Sequence, residues 1–124
     1  EDTTALYAQY WNNRYLTTSL VQLEELLETT MKESTFRRVT QPTLLLYYFK
    51  DEKNQDPVVK VSAMKEMFAS IATPNNLKRM VAVPEAGNHV LASPIQSNDI
   101  VTVEKETSLF MQQILQLKPV TYVK

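Results

Sequence analysis

The chain contains no cysteine, and it has only one glycine and one histidine among its 124 residues. Without cysteine, the protein cannot form a disulfide, a thiolate zinc site or a cysteine nucleophile. Glycine makes up roughly 7% of an average protein, and α/β enzymes normally use several glycines in their tight strand-to-helix turns. The scarcity of glycine therefore argues against a complete nucleotide-binding or hydrolase domain.

The charge balance excludes further classes of protein. Thirteen Lys and Arg face fourteen Asp and Glu, which gives a net charge of -1 and no basic surplus to bind a nucleic-acid backbone. No apolar run approaches the roughly 18 residues of a membrane span. One histidine and scattered carboxylates predict neither a metal site nor a cofactor. The sequence favours a soluble protein and does not distinguish the cytoplasm from the periplasm.

Residues 1–38 are predicted to form a helical segment. The aromatic stretch "ALYAQYW" (5–11) predicts a short helix that either packs or lines a pocket and that ends at Asn12 and Asn13. In "TTSLVQLEELLETTMKE" (17–33) leucines recur at helical spacing, which indicates an amphipathic helix. Ser19 and Gln22 match a capping box at its start.

Residues 39–124 are predicted to form the C-terminal α/β portion of the chain. The unbroken apolar run 43–49 is typical of a strand that is buried on both faces in a parallel sheet. Helical spacing follows over 57–72, where Asp56 suits the N-cap and Pro57 the first helical position. A second short strand is predicted at 79–84, and an amphipathic helix begins near Asp99 or Val101.

The order of these elements predicts the fold class. A βαβ unit between helices indicates an α/β fold, a partial three-layer α/β/α unit with a short parallel sheet and N-terminal and C-terminal helices. Two strands are too few for an independent sheet. We therefore expect the chain to associate, either with a second copy or with a missing N-terminal half.

Two side chains follow the two predicted strands. Asp56 comes after the first strand and its loop, and His89 comes after the second, in "PEAGNHV" (84–90). Functional groups collect beyond the carboxyl ends of parallel strands, so the two side chains can meet there. A carboxylate on one imidazole nitrogen supports proton transfer at the other. Simpler interpretations remain open, because Asp56 also suits a helix cap, His89 an exposed loop, and Gly87 a turn.

The same residues resemble a known family. The segments "VTQPTLLLYYFKDEKNQDPVV" (39–59), "MVAVPEAGNHV" (80–90) and "VTVEKETSLFMQQIL" (101–115) resemble the acid loop, the histidine loop and the closing helix of the α/β-hydrolase fold. The resemblance implies that Asp56 is the triad acid and His89 the triad base, with Asp51 as an alternative acid. Residues 1–38 would then correspond to the end of a cap or to the helices that precede the penultimate strand.

The nucleophile of that family is missing from this chain. Its serine lies in G-x-S-x-G, which a chain with one glycine cannot contain. The resemblance thus implies a C-terminal fragment of a hydrolase, inactive alone, whose parent cleaves a small-molecule carboxylic ester or related bond. The alternative is a non-catalytic interaction domain that dimerises or binds a partner through its open sheet edge.

Overall fold

A computed structural model of the chain describes residues 5–10 and 14–120. It contains five α-helices, one 3₁₀ turn at Asn75–Leu77 and two strands within this part of the chain. In chain order the helices and strands are α1 (Ala5–Tyr10), α2 (Thr17–Thr30), α3 (Glu33–Phe36), β1 (Thr43–Tyr47), α4 (Val61–Ser70), β2 (Lys78–Ala82) and α5 (Ile100–Gln113).

The two strands pair in parallel, as the βαβ pattern predicts. The register aligns Thr43 with Lys78 and Tyr47 with Ala82, and α4 lies between the strands in the sequence. Each strand has five residues, so β1 is shorter than the predicted run 43–49. The described residues thus form a small α/β arrangement of helices around a two-stranded parallel sheet.

Helices α4 and α5 pack on opposite faces of the sheet. Tyr47 of β1 joins Val61 and Met64 of α4 in one buried cluster. The other cluster contains Val83 and Val103, and Leu46 of β1 packs against it. Because neighbouring residues of a strand point to opposite faces, Leu46 and Tyr47 serve different clusters. The small core is therefore split between the two faces.

Helix α2 forms where its leucine spacing predicts, but its start and its surroundings differ from expectation. Leu16 occupies the N-cap position and makes no side-chain cap hydrogen bond, so the capping box proposed for Ser19 and Gln22 is wrong. No residue of α2 is buried. The leucine stripe faces solvent, with Leu23 50% and Leu27 43% exposed. The predicted helix break at Asn12 and Asn13 lies outside the described residues.

The starts of α4 and α5 give two different outcomes. Helix α4 begins at Val61 after Lys60, so the prediction that Asp56 caps it and that Pro57 opens it is wrong. Asp99, in contrast, is the N-cap of α5, and its side chain accepts a hydrogen bond from the Thr102 amide. Among the described residues, no helix is long and apolar enough to cross a membrane.

Candidate functional site

Asp56 is held at the carboxyl end of β1 by a loop that folds back. Phe49 and Gln55 form an antiparallel bridge, and the Asp56 amide donates to the Tyr48 carbonyl at 3.0 Å. One carboxylate oxygen, Oδ1, accepts from the amides of Val58 and Val59, each at 2.8 Å. Asp56 therefore closes its own turn and does not cap α4. These bonds fix the position of the carboxylate.

The second oxygen of Asp56 contacts His89. The distance from Oδ2 to the imidazole Nδ1 is 2.6 Å. The Asp56 side chain is almost fully buried, whereas the His89 side chain is 41% exposed. The structure therefore brings together the two residues that follow the adjacent strands. Nδ1 is the ring nitrogen that meets Asp56, and Nε2 is the nitrogen that this contact does not use.

The surroundings of Asp56 favour its ionised form. Burial by itself raises the pKa of this carboxyl group, but hydrogen bonds from the Val59 amide, His89 and the Val58 amide outweigh burial and lower the pKa below 3.8. At neutral pH an ionised carboxylate can only accept hydrogen bonds. Nδ1 of His89 therefore donates to Asp56, and a neutral ring keeps a lone pair on Nε2 with which to accept a proton.

The loop that carries His89 turns at Gly87. Its φ is +69°, a backbone conformation that glycine adopts without strain. A Cβ atom at this position would lie 2.8 Å from Nδ2 of Asn98. The backbone amide of Asn98 donates to the Ala86 carbonyl at 3.0 Å. The only glycine of the chain therefore serves the turn that directs the loop back toward Asp56.

Asp51, the alternative acid, lies elsewhere. Its carboxylate bonds the side chain of Asn54 and the amides of Lys53 and Asn54, all within its own exposed loop. These bonds, led by the Asn54 side chain, lower its pKa. An exposed ion pair between Lys50 and Glu85, at 3.0 Å, links the acid loop to the histidine loop. Of the two candidate acids, Asp56 is the one in contact with His89.

A cleft of about 610 Å³ opens beside the acid loop. Its wall includes Phe49, Asp56, Lys60, Ser62 and Lys65, and the Lys65 ammonium lies 4.8 Å from the centre of the Phe49 ring. His89 does not line this cleft. The cleft therefore adjoins Asp56 and not the imidazole of His89.

The sequence reasoning missed several residues that hold this site. Asn88 donates from Nδ2 to Gln96 at 2.9 Å and accepts the Val90 amide on Oδ1 at 2.9 Å. Both bonds lie in an irregular loop without periodicity. The available signal was an asparagine next to the histidine, which is also an ordinary turn residue.

Comparisons with protein-family models, with curated proteins and with solved structures found no match to the chain.

Proposed function

We propose that Asp56 and His89 are the acid and the general base of a hydrolase of the α/β-hydrolase type. The observation that carries this proposal is the 2.6 Å contact between Asp56 Oδ2 and His89 Nδ1 at the carboxyl edge of a parallel sheet. A nearly buried, ionised acid on one nitrogen of a partly exposed imidazole is the arrangement that activates a nucleophile.

In this mechanism Nε2 of His89 accepts the proton of an attacking hydroxyl group and later returns it to the leaving group. Asp56 holds the ring in the tautomer with the proton on Nδ1 and stabilises the imidazolium that forms. The nucleophile comes from outside these 124 residues, because the single glycine excludes a G-x-S-x-G elbow. The substrate class is a carboxylic ester or a related acyl compound.

The test uses the polypeptide encoded by the complete reading frame. With a p-nitrophenyl ester as substrate, His89→Ala and Asp56→Asn should each lower kcat by about 10⁴-fold, because the base or its correct tautomer is lost. Asp51→Asn is the matched control, since Asp51 does not contact His89, and it should leave kcat unchanged. Retained turnover in His89→Ala, or a reading frame with no strand–nucleophile–helix segment, would refute the proposal.

A second candidate function is self-association through exposed apolar surface. The leucine stripe of α2 lies open to solvent, with exposed fractions from 43% at Leu27 to 56% at Leu20. Contiguous exposed apolar surface of this kind marks an interaction site. With a net charge of -1, two copies repel each other little. We therefore propose a second copy of the chain as the partner that covers this surface.

A further inference from the structure

The side chain of Asn88, the residue before His89, makes two hydrogen bonds, one as acceptor and one as donor. Its Oδ1 accepts the amide of Val90, the residue that follows His89, at 2.9 Å. Its Nδ2 donates to Oε1 of Gln96, also at 2.9 Å. The first bond fixes the orientation of the carboxamide, because a backbone amide needs an oxygen acceptor. The side chain thus closes a turn whose central residue is His89.

The partner of that carboxamide belongs to a second turn that is itself well bonded. The amides of Gln96 and Ser97 both donate to the Ser93 carbonyl, at 3.1 and 2.8 Å. Directly after this turn, Asp99 caps α5, whose Val103 and Phe110 are buried. The contact from Asn88 to Gln96 therefore connects the backbone around His89 to a turn anchored on a packed helix.

We propose that Asn88 is a positioning residue that holds the His89 imidazole in register with the Asp56 carboxylate. The acid is rigid on its own side, because its backbone and Oδ1 are both bonded within the acid loop. The histidine side chain is 41% exposed, and Asp56 is its one hydrogen-bond partner among the described residues. The register of the pair is therefore set by the loop that carries the ring. A catalytic role for Asn88 rests on the proposed function. The effect of Asn88 on the contact between Asp56 and His89 can be measured without it.

The single histidine makes the experiment direct, because every imidazole signal of the chain belongs to His89. At a pH of about 8 an unperturbed imidazole is neutral, and its ¹⁵N chemical shifts report which nitrogen holds the proton. In the unmodified chain we expect the proton on Nδ1, with a slowly exchanging signal. In Asn88→Ala we expect exchange of that proton to be faster by about tenfold, the effect of losing one ordinary hydrogen bond.

Three further variants sharpen the result. Asn88→Ser keeps a hydroxyl that can accept the Val90 amide, so it should restore part of the protection. Gln96→Ala should reproduce part of the loss. Asn76→Ala, an exposed asparagine in the turn before β2, is the matched control and should match the unmodified chain. Circular dichroism verifies that each variant is folded.

Two outcomes separate this inference from the proposed function. If Asp56→Asn removes the Nδ1 signal and a folded Asn88→Ala keeps it with unchanged exchange, Asn88 does not position the ring and only the inference fails. If the signal is absent from the unmodified chain, or survives Asp56→Asn, the pair itself does not form and the proposed function fails with it.

Discussion

Asp56 uses both of its carboxylate oxygens, and the two have different partners. Oδ1 accepts two backbone amides and shapes the loop, whereas Oδ2 meets the imidazole. The bonds to Oδ1 lie within the acid loop and do not involve His89. The orientation of Oδ2 is therefore set before any chemistry takes place, which is the preorganisation that an acid–histidine pair requires.

The lowered pKa of Asp56 predicts how stability depends on pH. Because the pKa is lower in the folded state, the stabilisation from ionised Asp56 is fully present above its unfolded pKa and is lost as pH falls through the folded pKa. The free energies of unfolding of the unmodified chain and of Asp56→Asn should therefore differ most above a pH of about 4 and converge below it. Urea titrations followed by circular dichroism measure both curves.

Glu25→Gln, on the exposed helix α2, provides the control for that measurement. Its difference from the unmodified chain should stay small at every pH, because surface substitutions cost little. A difference between Asp56→Asn and the unmodified chain that stays constant down to the acid limit would contradict the lowered pKa.

Among the elements, α5 shows what a periodic pattern can and cannot reveal. Val103 and Phe110, seven residues apart, recur at the helical spacing that indicates an apolar stripe, and both are buried. The stripe omits Glu106, which is also buried and lies 2.8 Å from the Arg79 guanidinium of β2. Oε2 of Glu106 accepts no aligned hydrogen bond from the described residues, so the contact with Arg79 is chiefly electrostatic. Hydrophobic periodicity does not predict a buried carboxylate, because its partner lies on another element.

This ion pair predicts an asymmetry between two substitutions. Arg79→Met leaves a buried carboxylate without its counter-charge and should lower the free energy of unfolding by about 1–3 kcal/mol. Glu106→Gln should cost less, because the Arg79 side chain is 35% exposed and water can solvate it. Urea denaturation of both variants, and of Arg79→Met with Glu106→Leu, measures the effect. The double variant should recover much of the loss; a larger cost for Glu106→Gln would contradict this account.

Elsewhere in the site and fold, the features that follow from element order or residue spacing could be predicted, and those that depend on irregular backbone could not. Parallel strands share an edge for their carboxyl ends, so the strand order indicates that Asp56 and His89 can meet. The hairpin that bridges Phe49 and Gln55, and the contact between Asn88 and Gln96, depend on irregular backbone. Helix α2 follows from its leucine spacing, but the spacing implies a covered stripe and the structure has an exposed one.

For the whole molecule, the exposed stripe of α2 predicts association. Leu23 contributes to the stripe, whereas Val21, 64% exposed, lies on the other side of the helix. Light scattering should show a species larger than 14.3 kDa for the unmodified chain and for Val21→Glu. Leu23→Glu should shift the population toward monomer, because it charges a surface that association covers. A monomer for the unmodified chain, or equal effects of both substitutions, would contradict self-association through α2.

The folded-back acid loop limits what the open edge of β1 can accept. The Tyr47 carbonyl accepts a hydrogen bond from the Val83 amide on the β2 side. Because neighbouring residues of a strand alternate, the Tyr48 carbonyl points to the open edge, where it accepts a hydrogen bond from the Asp56 amide. Outward backbone groups remain at Leu44 and Leu46 alone within β1. A strand added at this edge would therefore pair over only a few residues before it met the acid loop, and its end would lie near Asp56.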